Sequence, residues 1–265
     1  MSNKDTYLSK ILEDKRDLLL QIKKESTFRE LKKIVRDLPE TRGFLNSLKA
    51  DIEEKDFAVI AEMKKASPSQ GLIREDYNPG KIADSYLEAG ATCLSILTDH
   101  KFFQGENDQL TYVKHRTTLP VLRKDFVIDE FQIFETRAIG ADCILLIKSA
   151  LSKQQLKDFY YVSKDLGLDV LIEIHSTEEL SEVMDMDPEL LGVNNRNLTT
   201  FEVDIHNTKE ISKLVPDSSL LVCESGIKTK KDIQFIKESG VKAFLIGEAF
   251  MRAADPGKEL QKLFN

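Results

Sequence analysis

The chain has 265 residues, of which 41% are hydrophobic and 31% are charged, and its formal net charge is −7. This composition suits a globular chain with a sizeable core, and the acidic balance excludes a broad basic surface for nucleic acid. No apolar run approaches the roughly 20 residues of a membrane span, and residues 1–14 are too polar for a signal peptide. Because no Pro-, Gly- or Ser-rich linker divides the chain, we expect a single domain over residues 1–265. We also expect a cytoplasmic monomer that binds neither nucleic acid nor membranes.

Residues 1–50 are predicted to form an N-terminal helical extension. Apolar side chains recur at steps of three and four among charged ones, at Leu8, Ile11, Leu12, Leu18, Leu19 and Ile22. The pattern continues from Leu31 to Leu38, before Pro39, and residues 44–48 predict a further short helix.

From residue 57 onward, short apolar runs alternate with longer amphipathic stretches. The runs are Phe57–Met63, Cys93–Leu97, Pro120–Leu122, Cys143–Ile147, Val170–Ile174, Leu190–Val193, Leu220–Cys223 and Ala243–Ile246. Each is followed by a helical pattern, and the units repeat at roughly 25 residues, the size of a strand–helix unit. Eight such units predict a (β/α)8 TIM barrel. A doubly wound sheet is the competing arrangement, but no glycine fingerprint opens a first strand–helix turn.

Reactive side chains gather at the predicted carboxyl ends of these strands, which face one mouth in a barrel. They include Glu62 and Lys64, Arg123, Lys124 and Asp125, Lys148, Glu173 and His175, Asn194 to Arg196, and Glu224. Polar residues at the end of any strand would account for the polarity alone. They account less well for two glutamates and two lysines at strand ends that face inward, which a shared site explains. Crowding and burial disfavour a charged lysine, so either Lys64 or Lys124, depending on its carboxylate neighbours, could act as a general acid near neutral pH.

The last two units predict a phosphate site. Ser225 and Gly226 follow the seventh strand, and Gly247 follows the eighth, directly before a short helical stretch at Glu248–Arg252. Backbone N–H groups of small-residue loops and helix N-termini bind phosphate, and barrels often place such a site after strands seven and eight.

Further side chains predict contacts with an aromatic, acidic substrate. Arg196 could hold a carboxylate and Asn194 a hydroxyl, although the same segment also reads as a plain turn. Phe102, Phe103 and Phe126 could line an aromatic pocket or simply anchor their loops. Together these residues predict a small anionic substrate with a phosphate and a second acidic group.

The cysteines and histidines predict neither a disulfide nor a metal site. The three cysteines, Cys93, Cys143 and Cys223, lie inside apolar runs and are expected to be buried thiols. The four histidines have no metal-ligand spacing. We therefore expect acid–base chemistry without metal or cofactor.

Several longer segments form a specific pattern over essentially the whole chain. They are IAEMKKASPSQGLI, LTDHKFFQG, LPVLRKDFVIDEFQIFETRAIGADCILLI, LIEIHSTEEL, LGVNNRNLTTFEVD, VCESGI and FLIGEAFMRAADPG. Together they resemble the indole-3-glycerol phosphate synthase family of tryptophan biosynthesis. This resemblance implies a (β/α)8 barrel with an N-terminal helical extension and an anionic phosphosugar substrate. The family converts 1-(2-carboxyphenylamino)-1-deoxyribulose 5-phosphate to indole-3-glycerol phosphate, with loss of carbon dioxide and water.

The resemblance also implies catalytic roles. Lys124 matches the general acid that protonates the ribulose carbonyl, and Glu173 matches the acid–base glutamate of the later dehydration. Glu62 and Lys64 match the pair on the first strand, and the division of the acid role between the two lysines stays open. Asn194 matches the asparagine that positions the substrate hydroxyl and the catalytic groups.

The remaining matches concern substrate binding. Ser67 and Arg196 match the grip on the anthranilate carboxylate, and Phe103 and Phe126 match the aromatic pocket. The other substrate-binding matches lie on the last two strands and their loops: Glu224, and the phosphate cradle of Ser225, Gly226, Gly247 and Glu248. Glu248 stands where a serine is also used, so its backbone N–H is expected to serve the phosphate while its side chain points away.

Two alternatives remain at this stage. One is another phosphosugar barrel such as phosphoribosylanthranilate isomerase, which would be expected to use a cysteine and an aspartate that do not fit here. The other is a non-catalytic barrel subunit, which would be expected to have lost Lys124 or Glu173.

Overall fold

The computed structural model describes residues 6–25, 27–197 and 199–265, and its centre is a closed barrel of eight parallel strands. The strands are β1 Ala58–Met63, β2 Cys93–Leu97, β3 Val121–Lys124, β4 Cys143–Ile147, β5 Asp169–Ile174, β6 Leu190–Asn194, β7 Leu220–Glu224 and β8 Ala243–Ile246. Each strand pairs with its neighbours in sequence, and β8 pairs with β1 to close the barrel. The predicted (β/α)8 barrel is confirmed.

Helices precede the barrel and surround it. Before β1 come α1 Tyr7–Glu25, α2 Phe28–Arg36 and α3 Phe44–Lys55. The others are α4 Pro79–Glu88, α5 His100–Phe103, α6 Asn107–Arg116, α7 Glu130–Ala138, α8 Lys153–Asp165, α9 Thr177–Val183, α10 His206–Ser212, α11 Lys230–Lys237, α12 Glu248–Arg252 and α13 Pro256–Phe264. No described helix is long and apolar enough to cross a membrane.

The N-terminal extension is helical as predicted, but its last helix runs beyond residue 50. Its first five residues and Ser26 lie outside the described residues. Its last helix, α3, continues past residue 50 to Lys55, where Asp56 adopts a left-handed conformation with φ 63° and ends the helix. The apolar face of α3, with Phe44, Leu45 and Leu48, packs against the side chains that fill the barrel interior.

Strand β3 extends two residues beyond its apolar run, to the Arg123 and Lys124 that the sequence placed at its end. The apolar run ends at Leu122, but the strand continues through Arg123 to Lys124. The Arg123 guanidinium is buried, and its charge is compensated by the carboxylates of Asp125 and Glu135, which lie 3.2 and 2.6 Å away. A buried charge with paired carboxylates interrupts the apolar pattern without ending the strand.

Two short elements were not predicted. The loop after β1 folds back as an antiparallel hairpin between Ala66–Ser67 and Gly71–Leu72. The loop after β2 contains helix α5, whose first turn is capped by Asp99, since its carboxylate accepts a hydrogen bond from the Phe102 N–H at 2.9 Å. Both elements carry predicted site residues.

Two layers of apolar side chains form the core. One fills the barrel interior, and the other lies between the strands and the surrounding helices. The three cysteines are free and buried, as predicted. Burial raises their pKa values, that of Cys223 to about 11, which keeps the thiols protonated.

A buried ion-pair cluster fastens α1 to the mouth of the barrel. The Lys15 ammonium lies 2.9 Å from Asp99 and 2.8 Å from Asp125, and all three side chains are at most 4% exposed. Burial lowers the pKa of Lys15, but Asp125 and Asp99 outweigh it and the net shift is upward. Asp125 directly follows Lys124, so the extension is tied to the chain segment that carries a predicted catalytic lysine.

We expect Lys15→Met to destabilise the fold by roughly 3–5 kcal/mol, because it removes the cation that two buried aspartates share and leaves Asp125 with Arg123 alone. Lys23→Met on the same helix is the matched control. Lys23 pairs with Asp129 at the surface, where the two side chains are 41% and 34% exposed, and its loss should cost about 0–1 kcal/mol. Urea unfolding of both variants measures the difference, and equal effects would contradict a specific role of the buried cluster.

Candidate active site

The residues that the resemblance assigns to the site all line one cavity of about 500 Å³ at the carboxyl ends of the barrel strands. They are Glu62, Lys64, Ser67, Phe103, Lys124, Phe126, Glu173, Asn194, Arg196, Glu224, Ser225, Gly226, Gly247 and Glu248. The structure brings these fourteen residues to one cavity, which Phe102, Arg123, Lys148, His175 and Asn195 do not line. The assignment of the fourteen residues to a substrate site and their individual roles stay predictions.

The two-residue period of the strands explains why these residues meet. On β1, Ala58 and Ile60 belong to the barrel interior, so Glu62 has the same orientation one step further along. Three other strands repeat the pattern, with the pairs Leu122 and Lys124, Leu171 and Glu173, and Val222 and Glu224. The apolar core of the barrel thus changes into a layer of charged groups at its mouth.

Lys124 is the centre of this layer. Its ammonium nitrogen lies 2.6 Å from Glu173 Oε2 and 2.7 Å from Glu224 Oε2. The Lys124 side chain is 12% exposed and the two carboxylates are buried. Three charged groups from β3, β5 and β7 are therefore joined across the barrel mouth.

The expectation of a lysine with a lowered pKa is wrong for Lys124. Burial does lower its pKa, but the carboxylates of Glu173, Glu224 and Glu62 outweigh burial, and the pKa is raised well above its usual value. The opposite charges within hydrogen-bond distance are the physical reason. Lys124 is held as a charged ammonium at neutral pH.

The two glutamates that share Lys124 have opposite pKa shifts. Burial raises the pKa of both, but Lys124, His175 and the Asn194 amide together lower that of Glu173 to about 2. Asn194 Nδ2 donates to Glu173 Oε1 at 3.2 Å, and His175 Nε2 lies 3.4 Å from the same oxygen. For Glu224, burial and the charges of Glu173 and Glu62 outweigh Lys124 and raise the pKa to about 7. One glutamate is therefore fixed as a carboxylate while the other can hold a proton.

Two glycines leave room for the buried glutamates. A Cβ at Gly192 on β6 would lie 2.0 Å from Glu224 Oε1, and a Cβ at Gly247 would lie 2.2 Å from Glu62 Oε2. Any other residue would displace these carboxylates. Gly247 was singled out for phosphate binding, but its role in making room for Glu62 was not predicted, and Gly192 was missed. A glycine inside an apolar strand is the available signal for such a close approach.

Glu62 and Lys64 form an ion pair at the end of β1. The Glu62 carboxylate is buried, and the Lys64 ammonium reaches into the cavity from the more exposed side. Ser67 lies in the first strand of the hairpin that follows β1, and its hydroxyl oxygen is 3.5 Å from that of Ser69. The ion pair at the end of β1 and the hydroxyl groups of the hairpin thus line the same cavity.

The β6 loop connects the charged centre to a second ion pair. Asn194 Oδ1 accepts a hydrogen bond from the Arg196 backbone N–H at 3.0 Å, while the Asn194 amide holds Glu173. The Arg196 guanidinium lies 3.3 Å from Glu248 Oε2. The Glu248 side chain is therefore directed toward arginine.

Aromatic side chains form a further wall of the cavity. The rings of Phe103 and Phe126 lie 6.0 Å apart between centroids, at an angle of 37°. Tyr7 of α1 packs on Phe201 of the β6 loop at 4.8 Å, and Leu8 and Ile11 also line the cavity. The contribution of α1 to the cavity was not predicted, because its first turn reads only as part of an amphipathic helix.

The loop after β7 turns sharply beside the start of α12. Ser225 and Gly226 are consecutive left-handed residues, with φ values of 64° and 89°. Asn195 Nδ2 donates a hydrogen bond to the Ser225 carbonyl at 3.1 Å and holds the turn. The predicted phosphate loop and the N-terminus of α12 thus line the same cavity.

Among the residues that the structure describes, no group of three or more His, Cys, Asp or Glu side chains is arranged to hold a metal ion. The cationic groups of the cavity are instead amines and guanidinium groups, and each of Lys64, Lys124 and Arg196 has a carboxylate partner. The arrangement can bind an anion and exchange protons.

A sequence model described as indole-3-glycerol phosphate synthase matches residues 8–263. The chain belongs to this family. The match covers nearly the whole chain and supports an enzyme of tryptophan biosynthesis. Neither the isomerase nor a non-catalytic barrel is favoured by any comparison.

Solved structures share the fold at low sequence identity. Thiamine phosphate pyrophosphorylase from Pyrococcus furiosus has a TM-score of 0.60 and 16% identity, over 80% of this chain and 95% of that one. 3-Hexulose-6-phosphate synthase from Salmonella typhimurium has a TM-score of 0.64 and 13% identity, over 78% of this chain and 96% of that one. Tryptophan synthase subunit alpha from Legionella pneumophila has a TM-score of 0.63 and 13% identity, over 85% of this chain and 98% of that one. These similarities show the barrel fold alone.

The raised pKa of Glu224 predicts a pH dependence of stability. Between its ordinary value of 4.5 and about 7, folded Glu224 holds a proton that the unfolded chain has lost, so this group makes stability fall as pH rises. Glu224→Gln removes that loss. The free energy of unfolding of the variant, relative to the native protein, should therefore increase by roughly 2–3 kcal/mol between about pH 4.5 and about pH 8.

Glu173→Gln should behave in the opposite way, since the lowered pKa of Glu173 stabilises the fold above 4.5 and that contribution is lost as pH falls toward 2. The variant should lose most stability at neutral pH. Urea unfolding at several pH values tests both substitutions, and a pH-independent difference for Glu224→Gln would contradict the assignment.

Proposed function

We propose that this chain is a carbon–carbon lyase that closes the indole ring of 1-(2-carboxyphenylamino)-1-deoxyribulose 5-phosphate. The carboxylated ring carbon bonds to the ribulose carbonyl carbon, carbon dioxide leaves, and a hydroxyl then leaves as water. The observation that carries this proposal is the Lys124 ammonium held between Glu173 and Glu224 inside an aromatic-walled cavity.

Lys124 is proposed as the general acid of ring closure. As the new carbon–carbon bond forms, the carbonyl oxygen gains negative charge and takes a proton from the ammonium. The raised pKa of Lys124 does not prevent this transfer, because an alkoxide is a stronger base than an amine. Its two carboxylate partners keep the amine charged before the substrate enters.

The carboxylates are proposed to serve the later steps. Ring closure leaves a positive iminium nitrogen, which nearby glutamate charge stabilises until the bond to the departing carboxylate breaks and its electrons neutralise the nitrogen. Glu173, an ionised carboxylate with fixed partners, then accepts the ring proton as the hydroxyl leaves. Glu224, whose pKa is raised to about 7, can pass a proton to the leaving hydroxyl.

Substrate placement is proposed to follow the three sides of the cavity. Phe103 and Phe126 would enclose the aromatic ring, which matches the aromatic lining. Ser67 and Arg196 would bind the anthranilate carboxylate. Backbone N–H groups of Ser225, Gly226, Gly247 and Glu248 would bind the phosphate, with Asn194 and Glu62 positioning the sugar and Lys64 contacting it.

Turnover followed by indole fluorescence tests the proposal. Lys124→Met should reduce kcat by roughly 10²- to 10⁴-fold, the usual loss when a general acid is removed. Lys64→Met, which removes the lysine that follows β1, should act mainly on KM because Lys64 is proposed to contact the substrate. Circular dichroism confirms that both variants are folded.

Two outcomes would contradict parts of this proposal. A folded native protein without any fluorescence increase would exclude the reaction. Turnover that survives in Lys124→Met and is lost in Lys64→Met would keep the reaction and move the general-acid role to Lys64.

A further inference from the structure

The Glu248 carboxylate has no assigned chemical role, and it pairs with Arg196, which is proposed to bind the substrate's carboxylate. Glu248 Oε2 lies 3.3 Å from Arg196 Nη2, and Glu248 Oε1 accepts a hydrogen bond from Arg252 Nε at 3.2 Å. All three side chains line the cavity. Glu248 thus bridges an arginine on the β6 loop and one on its own helix.

The ion pair between Arg196 and Glu248 is weak. It has one contact, at 3.3 Å, whereas charge-assisted hydrogen bonds of this kind are usually about 2.7–2.9 Å and often bidentate. The Arg196 and Glu248 side chains are 21% and 24% exposed, so water screens the attraction. Separating the two groups therefore costs little compared with the buried pairs at Lys124.

Glu248 has a second cation ready to hold it. Arg252 is 47% exposed, and its Nη2 also donates to Gln70 Oε1 at 2.8 Å, next to the hairpin that carries Ser67. When Glu248 leaves Arg196, it can remain paired with Arg252 without becoming buried and unpaired. Arg196 meanwhile keeps its place, because its backbone N–H and its Nη1 are held by Asn194 and the Phe201 carbonyl.

We propose that Glu248 is an internal competitor for the substrate's carboxylate at Arg196. This inference rests on the proposed function. In the free protein Glu248 neutralises Arg196, and in the substrate complex the anthranilate carboxylate takes its place, since two carboxylates at one guanidinium edge repel each other. After decarboxylation the product has no carboxylate, so Glu248 returns to Arg196. The pair therefore lowers the affinity for substrate without affecting that for product.

Two unreactive ligands test this proposal. One is the substrate with its carbonyl reduced to an alcohol, and the other is the same compound without the ring carboxylate. The dissociation constants of both are measured by calorimetry with the native protein and with Glu248→Gln. We expect the variant to bind the carboxylated ligand roughly three- to tenfold more tightly, with little change for the other ligand.

Glu259→Gln is the matched control. Glu259 also lines the cavity, but it pairs with Lys262 and makes no contact with Arg196 among the described side chains. This variant removes the same charge, so it reports the general electrostatic effect, and its ratio of the two dissociation constants should stay close to that of the native protein.

The results separate this inference from the proposed function. If Glu248→Gln changes the dissociation constants of both ligands by the same factor, the competitor role is overturned, even if the native protein turns over the substrate. The same increase in Glu259→Gln would also overturn it. A native protein that shows no turnover would instead overturn the proposed reaction.

Discussion

The buried ammonium of Lys124, shared by Glu173 and Glu224, is the interaction on which the rest of the site depends. Two carboxylates 2.6 and 2.7 Å from one amine keep that amine charged in a place where burial alone would neutralise it. The two glutamates differ in pKa, because the amine and its neighbours lower the pKa of Glu173 to about 2 while burial and the nearby carboxylates raise that of Glu224 to about 7. A single geometric arrangement thus provides an acid, a base and a proton reservoir.

The barrel supplies this geometry through its alternation of side chains. Residues that fill the interior lower down the strands are followed at the mouth by Lys124, Glu173 and Glu224 on the same face. Gly192 leaves the space that the Glu224 carboxylate occupies. The extension contributes from outside, since Lys15 binds Asp125, the residue next to Lys124. Packing, backbone space and a buried ion pair therefore act together on one lysine.

The fold could be predicted from sequence because it follows from short-range patterns, and the same patterns place charged residues at the strand ends. The full set of candidate site residues came from the family resemblance and stays a prediction. Eight apolar runs at regular spacing define the strands, and period-two alternation directs Glu62 and Lys124 to the same mouth. Strand β3 reaches Lys124 although its apolar run stops at Leu122, because Arg123 is a buried charge that interrupts the apolar pattern.

Properties that depend on distances between strands could not be predicted. The sequence contains Lys124, Glu173 and Glu224, but not the contacts that reverse the expected pKa shift of the lysine. The placement of Tyr7 on Phe201, and of Glu248 between two arginines, likewise depends on how segments far apart in sequence meet. Charge and burial act in opposite directions on a buried lysine, and only the geometry decides which is larger.

The most direct test of the central interaction is an NMR titration of Lys124 in the native protein, with lysine labelled at Cε and the resonance assigned by its loss in Lys124→Met. If the two glutamates hold the ammonium as described, Lys124 stays protonated through pH 10.5, where an ordinary lysine is half titrated. A Lys124 that loses its proton near neutral pH would contradict this arrangement, because burial would then outweigh the two carboxylates.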